Sequence, residues 1–323
     1  MPNRPQLQKL VERARRLPPL SAAFAFPCDA DTLQLALAGA FAAFVAPTLV
    51  GPQQRIRDAA LRAGIDISRL PIVDTPDDAQ AAARRAAELA RDGRVDAIVR
   101  GTLADGELLA PVASQEGGLR TGRRLSHATL LDVPGRDEAL IVADDRLNVA
   151  PPLAAKRDIL DNTAAYAVAL GFAHPTVALL AAVDAPSASF SSTVDALALK
   201  SMSANGAFHG ARVAGPVTPD IALARPTSAE SDSAPSATLL VAPSMESAVM
   251  VVRTLVGATG ALAAGLVVGA RVPVVIAARR ESMESRIASC VLASLAAHAL
   301  RPRSEHEATA RGPRDFAAAR AAA

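Results

Sequence analysis

The feature that most constrains this chain is a repeated alternation along its length. A short run of Val, Ile and Leu is followed by a loop, then by an Ala/Arg/Glu/Asp stretch with the period of an amphipathic helix. Apolar runs fall at 24–26, 47–50, 72–73, 97–99, 140–143, 176–182, 211–213, 238–241 and 272–277, and helical stretches at 53–63, 79–92, 153–170, 193–205, 247–264 and 281–300. Continuously apolar strands are buried on both faces, and strands that alternate with helices form sheets covered on each side. The pattern therefore predicts an α/β protein with mostly parallel sheets, and its 323 residues are enough for two domains. A division is expected near residue 143, where an apolar run ends in ADDRLNVAPP and a new helix begins.

Charge and composition exclude several classes of function. Thirty-four Lys and Arg against 32 Asp and Glu leave a net charge of +2, and aromatic residues make up 3%. That balance argues against a protein that neutralises many phosphates of a nucleic acid or stacks on its bases. Cys28 and Cys290 are too few and too far apart for a disulfide framework, and the five histidines show no metal-ligand spacing, which fits a reduced, cytoplasmic setting. The N-terminal segment is polar and predicts no export signal. Residues 32–54 and 254–270 carry no charge, but Pro47 and Gly39 interrupt the first, and Arg253 and Arg271 bracket the second at too short a length. No membrane span is expected. Residues 227–235 read as an exposed small-polar loop and 303–323 as a flexible tail.

In open α/β sheets ligands bind beyond the carboxyl ends of strands, so the turns after the apolar runs are the places to look for chemistry. None carries a dinucleotide-binding G-x-G-x-x-G or a P-loop, and there is no G-x-S-x-G, H-E-x-x-H or C-x-x-C. The segment LRTGRRLSH at 119–127 places three arginines, a serine and a histidine just before a strand; it reads either as an anion site or as a solvated basic loop.

Several strings, taken in order, resemble one family. FPCDADTLQLAL, APTLVGPQQRI, VDAIVRGTLADGELL, GLRTGRRLSH, DDRLNVAPPLAAKRDILDNTAAYAVALGFAHPTVALLAAV, STVDALALKSM and GARVPVVIAARRESMESRIASCVLA lie over residues 24 to 295 in the order and spacing of the phosphate acetyl/butyryl transferases. The resemblance implies a homodimer of subunits with two α/β/α three-layer domains, an isocitrate/isopropylmalate dehydrogenase-like fold with the active site in the cleft between them. The first domain would take residues 1–143 and 265–302, the second 144–264. The implied reaction is reversible transfer of an acetyl or short-chain acyl group between coenzyme A and inorganic phosphate, with CoA and acyl phosphate as substrates and no tightly bound cofactor. The thiol must lose its proton and attack the acyl-phosphate carbonyl, and phosphate must leave. Such chemistry needs a base near the sulfur and a guanidinium on the phosphoryl oxygens.

Matched to the family's strand-end Thr-Ser-Arg-Ala-Asp, residues 277–281 keep Arg279 and an acid at Glu281 but replace the serine with Ala278. Arg279 is the expected phosphate ligand; Glu281 reads as a base or as a first-turn carboxylate favoured by the helix dipole. Asp220, retained from Asp-Gly-Pro-Leu-Ala-x-Asp, reads as a site acid or a helix cap. Glu246 survives in Pro-Asp-Leu-Glu-x-Gly-Asn, whose asparagine is Val249, and Asn148 survives in Thr-Asp-Gly-x-x-Asn, here 143–148 with Asp145 at the glycine. The family's Lys-Gly-x-x-His-Thr is here 100–105, with Arg100, Ala104 and Asp105 at its lysine, histidine and threonine. Arg120, Ser126, Asn148 and Glu246 are the expected substrate-binding residues, and Cys28 and His127 read as structural. These losses of cleft polarity leave a rival reading, a divergent paralogue that binds CoA or an acyl metabolite without transferring phosphate. A metal- and nucleotide-dependent dehydrogenase on the same architecture would need an acidic metal cluster that the sequence does not show.

Overall fold

The computed structural model describes residues 4–208, 210–224, 237–277 and 280–301. In chain order the elements are α1 (Pro5–Ala14), β1 (Leu20–Ala25), α2 (Ala30–Phe41), β2 (Val45–Gly51), α3 (Gln53–Ala63), β3 (Ile72–Asp74), α4 (Ala79–Arg91), β4 (Ala97–Arg100), α5 (Asp105–Ala113), β5 (Ser126–Asp132) and β6 (Leu140–Ala143). They continue with α6 (Leu153–Ala169), β7 (Thr176–Leu180), α7 (Ser191–Ala204), β8 (Arg212–Val217), α8 (Pro219–Leu223), β9 (Leu239–Val241), α9 (Met245–Thr259), β10 (Leu262–Val268), β11 (Val274–Val275) and α10 (Met283–Leu300). The expected loop at 227–235 and tail at 303–323 lie outside the described residues.

Helix boundaries follow local chemistry. Asp29, Asp78, Ser244 and Ser282 each accept a hydrogen bond from a first-turn backbone N–H of the helix they precede, which satisfies a donor the helix itself leaves open. Gly64 and Gly260 end α3 and α9 in the left-handed conformation, at φ 64° and 67°. Gly260 corrects one expectation. The stretch 247–264 was expected to be helical throughout, but the helix stops at Thr259 and residues from Leu262 onward form β10.

The strands form one mixed, mostly parallel sheet in the order β3-β2-β1-β4-β11-β10-β5-β6-β9-β7-β8. Neighbours are parallel on either side of the centre. At the centre β11–β10, β10–β5 and β5–β6 are antiparallel. Three reversals are an odd number, so the two parallel blocks run in opposite senses.

The core follows this layout. On one face a single cluster reaches from Leu7 and Leu10 of α1 through Leu33, Leu130, Leu160 and Leu199 to Leu292 of α10. The other face is divided between two clusters. One gathers α4 and α5 with Ile98 and Val274, and the other gathers Ala248 and Val252 of α9 with Leu131 and Val142. Along β5 the side chains of His127, Thr129 and Leu131 share a face, because strand side chains alternate. The register sets His127 opposite Val267 and Thr129 opposite Gly265. These central residues therefore lie where one cluster ends and the next begins. Among the described residues, no helix is long and apolar enough to cross a membrane.

One long-range cap ties the N-terminal helix to the middle of the sheet. The backbone N–H of Leu7 donates to Oδ2 of the buried Asp132 at 2.8 Å, while Arg4, at the N-cap of α1, supplies no side-chain cap. Asp132→Ala should lower unfolding stability by about 1–3 kcal/mol, the cost of a buried donor left unmade. Asp132→Asn, which keeps an acceptor, should lose less; urea unfolding of the two variants checks the order.

Candidate active site

Along the break between the two clusters opens a cleft of about 820 Å³. One wall is apolar. Met245, Val249, Val252 and Val256 of α9 recur at helical spacing, and Leu262, Ala263 and Ala264 of β10 continue the surface. The other wall is polar and comes from two loops, with Asp145 and Arg146 after β6 and Ala277, Arg280, Glu281 and Ser282 after β11.

The loop after β6 is shaped by its own side chains. Asp144 Oδ1 accepts from the backbone N–H groups of Arg146 and Leu147, both at 3.0 Å, and its Oδ2 accepts from Asn148 Nδ2 at 2.5 Å. Asn148 Nδ2 also donates to the Leu125 carbonyl at 3.0 Å. With its backbone fixed, the loop sends Arg146 across to the second loop. There its guanidinium donates to the Ile276 carbonyl at 3.2 Å and pairs with the Glu281 carboxylate. That ion pair ties the chain after β6 to the chain after β11.

At the base of the cleft, His127 Nδ1 meets Asp145 Oδ1 at 2.6 Å, and Thr129 Oγ1 donates to Asp145 Oδ2 at 2.9 Å. All three side chains are buried. Burial alone pushes the Asp145 carboxyl up, but the charge and hydrogen bond of His127, the Thr129 hydroxyl and Arg146 outweigh it and hold the carboxyl below its ordinary range. An ionised carboxylate only accepts, so Nδ1–H faces Asp145, and in a neutral ring that leaves Nε2 as the lone-pair nitrogen. Among the described residues His127 forms its ring hydrogen bonds at Nδ1, to Asp145 and Thr129. The ring has room because residue 265 is glycine. A Cβ there would lie 2.7 Å from His127 Cε1, 2.8 Å from the Ala128 carbonyl oxygen and 3.0 Å from Thr129 Oγ1.

Of the residues expected from the sequence to serve the site, the cleft brings in Glu281. Arg279 lies outside the described residues. Asp220 is exposed on the first turn of α8, which follows the edge strand β8, and does not line the cleft. The Thr218 hydroxyl, followed by the backbone N–H groups of Asp220 and Ile221, holds its carboxyl below the usual value against a small opposing effect of burial, the environment of a helix-start carboxylate. Ser126 is fully buried and receives a hydrogen bond from Asn162 at 3.1 Å, while Asn148 braces the loop described above. Arg120 is exposed beside an isolated bridge to Ala270, and Glu246 is exposed on the first turn of α9. The cleft adds His127, Thr129, Asp145 and Arg146, which sequence reasoning did not place there. The available signal was Asp145, an acid at a position matched to glycine. Cys28 is not poised as a nucleophile: burial, only partly offset by Arg55, pushes its thiol up to about 11.

The fold and the cleft define an α/β protein with a polar site beside an apolar wall. The comparisons give the family. Residues 78–294 match the model of the phosphate acetyl/butaryl transferases. A phosphate acetyltransferase of Rhizobium meliloti is 40% identical over 291 residues, 89% of this chain and 92% of that protein. A phosphate butyryltransferase of Clostridium acetobutylicum is 33% identical over 253 residues, 77% of this chain and 84% of that protein. The crystal structure of a branched-chain phosphotransacylase from Enterococcus faecalis V583 superposes with a TM-score of 0.75 at 24% identity, covering 86% of this chain and 99% of that one, and shares the fold. The chain belongs to the phosphate acetyl/butaryl transferase family.

Two outcomes follow from this geometry. Gly265→Ala should displace the His127 ring and cost about 1–3 kcal/mol of stability, seen as a lowered urea midpoint and a moved imidazole resonance. Because the folded Asp145 carboxyl is held low, its contribution is complete above the ordinary carboxylate value of about 3.9 and is lost as pH falls through the lowered folded value. Asp145→Asn should therefore flatten the acid limb of stability below about pH 4, measured by urea titration from pH 6 downward.

Proposed function

We propose that this protein catalyses reversible transfer of an acetyl or short-chain acyl group between coenzyme A and inorganic phosphate, in the cytoplasm, as a homodimer. The observation that carries the reading is family membership joined to one cleft in which the chain after β11 faces an apolar helix. The α9 wall suits the pantetheine arm and the acyl chain. The opposite wall suits the phosphoryl group, where Arg280, Ser282 and the N-terminus of α10 lie together and a helix start favours an anion. Arg279 falls in sequence between Ala277 and Arg280, both on the cleft wall, and we assign it the bidentate contact to the phosphoryl oxygens. Glu281 holds Arg146 toward the same group. CoA enters as a substrate.

The finer architecture belongs to this proposal: two α/β/α lobes of the isocitrate/isopropylmalate dehydrogenase type, residues 1–143 with 265–302 and residues 144–264. The two parallel blocks of opposite sense and the divided core on one face support it. The exposed Phe41 and Leu61 give a second copy apolar surface to cover.

Purified protein incubated with CoA and acetyl, propionyl or butyryl phosphate should form the corresponding thioester. Arg279→Ala should lower that rate by about 10²–10³-fold, the usual loss when a donor to developing charge is removed. Ala278 and the cleft-lining Val249 replace polar family residues and favour the rival, a CoA-binding protein without transfer. CoA-dependent thermal stabilisation with no thioester from any acyl phosphate would establish that rival.

A further inference from the structure

We propose that His127, positioned by Asp145 and Thr129, takes the proton of the CoA thiol and returns it to the departing phosphate. The inference rests on the transfer reaction proposed above and assigns its proton-handling group.

The geometry is that of an oriented base. One carboxylate binds Nδ1 at 2.6 Å and is itself fixed by the Thr129 hydroxyl at 2.9 Å, so the ring is held in one tautomer with Nε2 as its basic nitrogen. The ring lies on the wall of the cleft, and the missing side chain at residue 265 makes its space. Among the described residues, the ionisable groups on the cleft wall besides His127, Asp145 and Arg146 are Arg4, Asp105, Arg253, Arg280, Glu281 and Glu284. Arginines cannot accept a proton, and Glu281 is bound to Arg146. Moving a proton from an ordinary thiol to a free carboxylate is uphill by roughly four powers of ten, and to a free imidazole by roughly two. An imidazole is the better matched acceptor for work near neutral pH.

The step balances. The S–H bond breaks as Nε2 takes the proton, and the Asp145 carboxylate stabilises the imidazolium. The thiolate forms a C–S bond at the acyl carbon, and the bond from that carbon to the phosphate oxygen then breaks. The departing oxygen takes the proton from Nε2, leaving thioester, hydrogen phosphate and neutral His127. In the reverse direction phosphate loses its proton to Nε2, and the leaving thiolate recovers it. His127 is then the catalytic residue and Asp145 a positioning residue.

The test follows thioester formation from acetyl phosphate and CoA in the full-length wild type, His127→Gln and Asp145→Asn between pH 7 and 9.5, with folding checked by thermal melts. At pH 7 we expect His127→Gln to lose about 10²–10⁴-fold in kcat, with KM for acetyl phosphate little changed. Its deficit should shrink as pH rises, because the thiol, with an ordinary value of about 8.5, then ionises without help. Asp145→Asn should lose at least about tenfold in kcat with the same narrowing at high pH, and it carries the test if His127→Gln does not fold. A wild type that transfers while both folded variants stay within about threefold of it at pH 7, or a deficit of the same size at every pH, overturns this inference alone. A wild type that transfers no acyl group overturns the proposed function and this inference with it.

Discussion

The antiparallel pair β5–β10 is the interaction on which the rest of the molecule depends. It joins two parallel blocks that run in opposite senses, so loops leaving the carboxyl ends of β6 and β11 arrive from opposite directions. On one face the pair is buried under a continuous core that includes Leu130, Leu266 and Leu292. On the other face the core divides between Val267 and Leu131, and the positions between them are His127, Thr129 and Gly265 rather than large apolar groups. A sheet centre left uncovered on one face is a cleft, and a buried polar side chain in it must find a partner or be costly. Asp145 satisfies both His127 and Thr129.

Two polar pairs stand in this cleft, one an ion pair and one a histidine–carboxylate hydrogen bond. Arg146 with Glu281, and His127 with Asp145, each cross from one structural segment to another. The chain as a whole is near neutral, with a net charge of +2. The apolar wall of α9 stands beside these pairs, so one cavity joins an apolar surface to a polar one.

Much of the fold was legible because buried parallel strands are written as short apolar runs. The runs at 97–99 and 140–143 and the helix at 53–63 lie where the structure has β4, β6 and α3. The antiparallel centre was harder to read. Residues 262–264 are Leu-Ala-Ala, as good in a helix as in a strand, and only pairing with β5 makes them strand. The site was legible in part. Glu281 stands on the cleft, whereas Ser126 and Asn148 have the residue types of ligands and work as internal braces. His127 and Asp145 are 18 positions apart, and nothing in sequence spacing shows that β5 and the end of β6 are neighbours. The sequence shows Asp145 at a position matched to glycine but gives it no partner; in three dimensions it is the partner of a buried histidine.

The measurement that bears most directly on this account is a crystal structure of the protein with CoA. The account predicts that the pantetheine arm lies along Val249, Val252 and Val256 and that its sulfur comes within hydrogen-bond reach of His127 Nε2, directly or through one water. A sulfur placed away from His127, or CoA bound outside the cleft between α9 and the loop after β11, would contradict it.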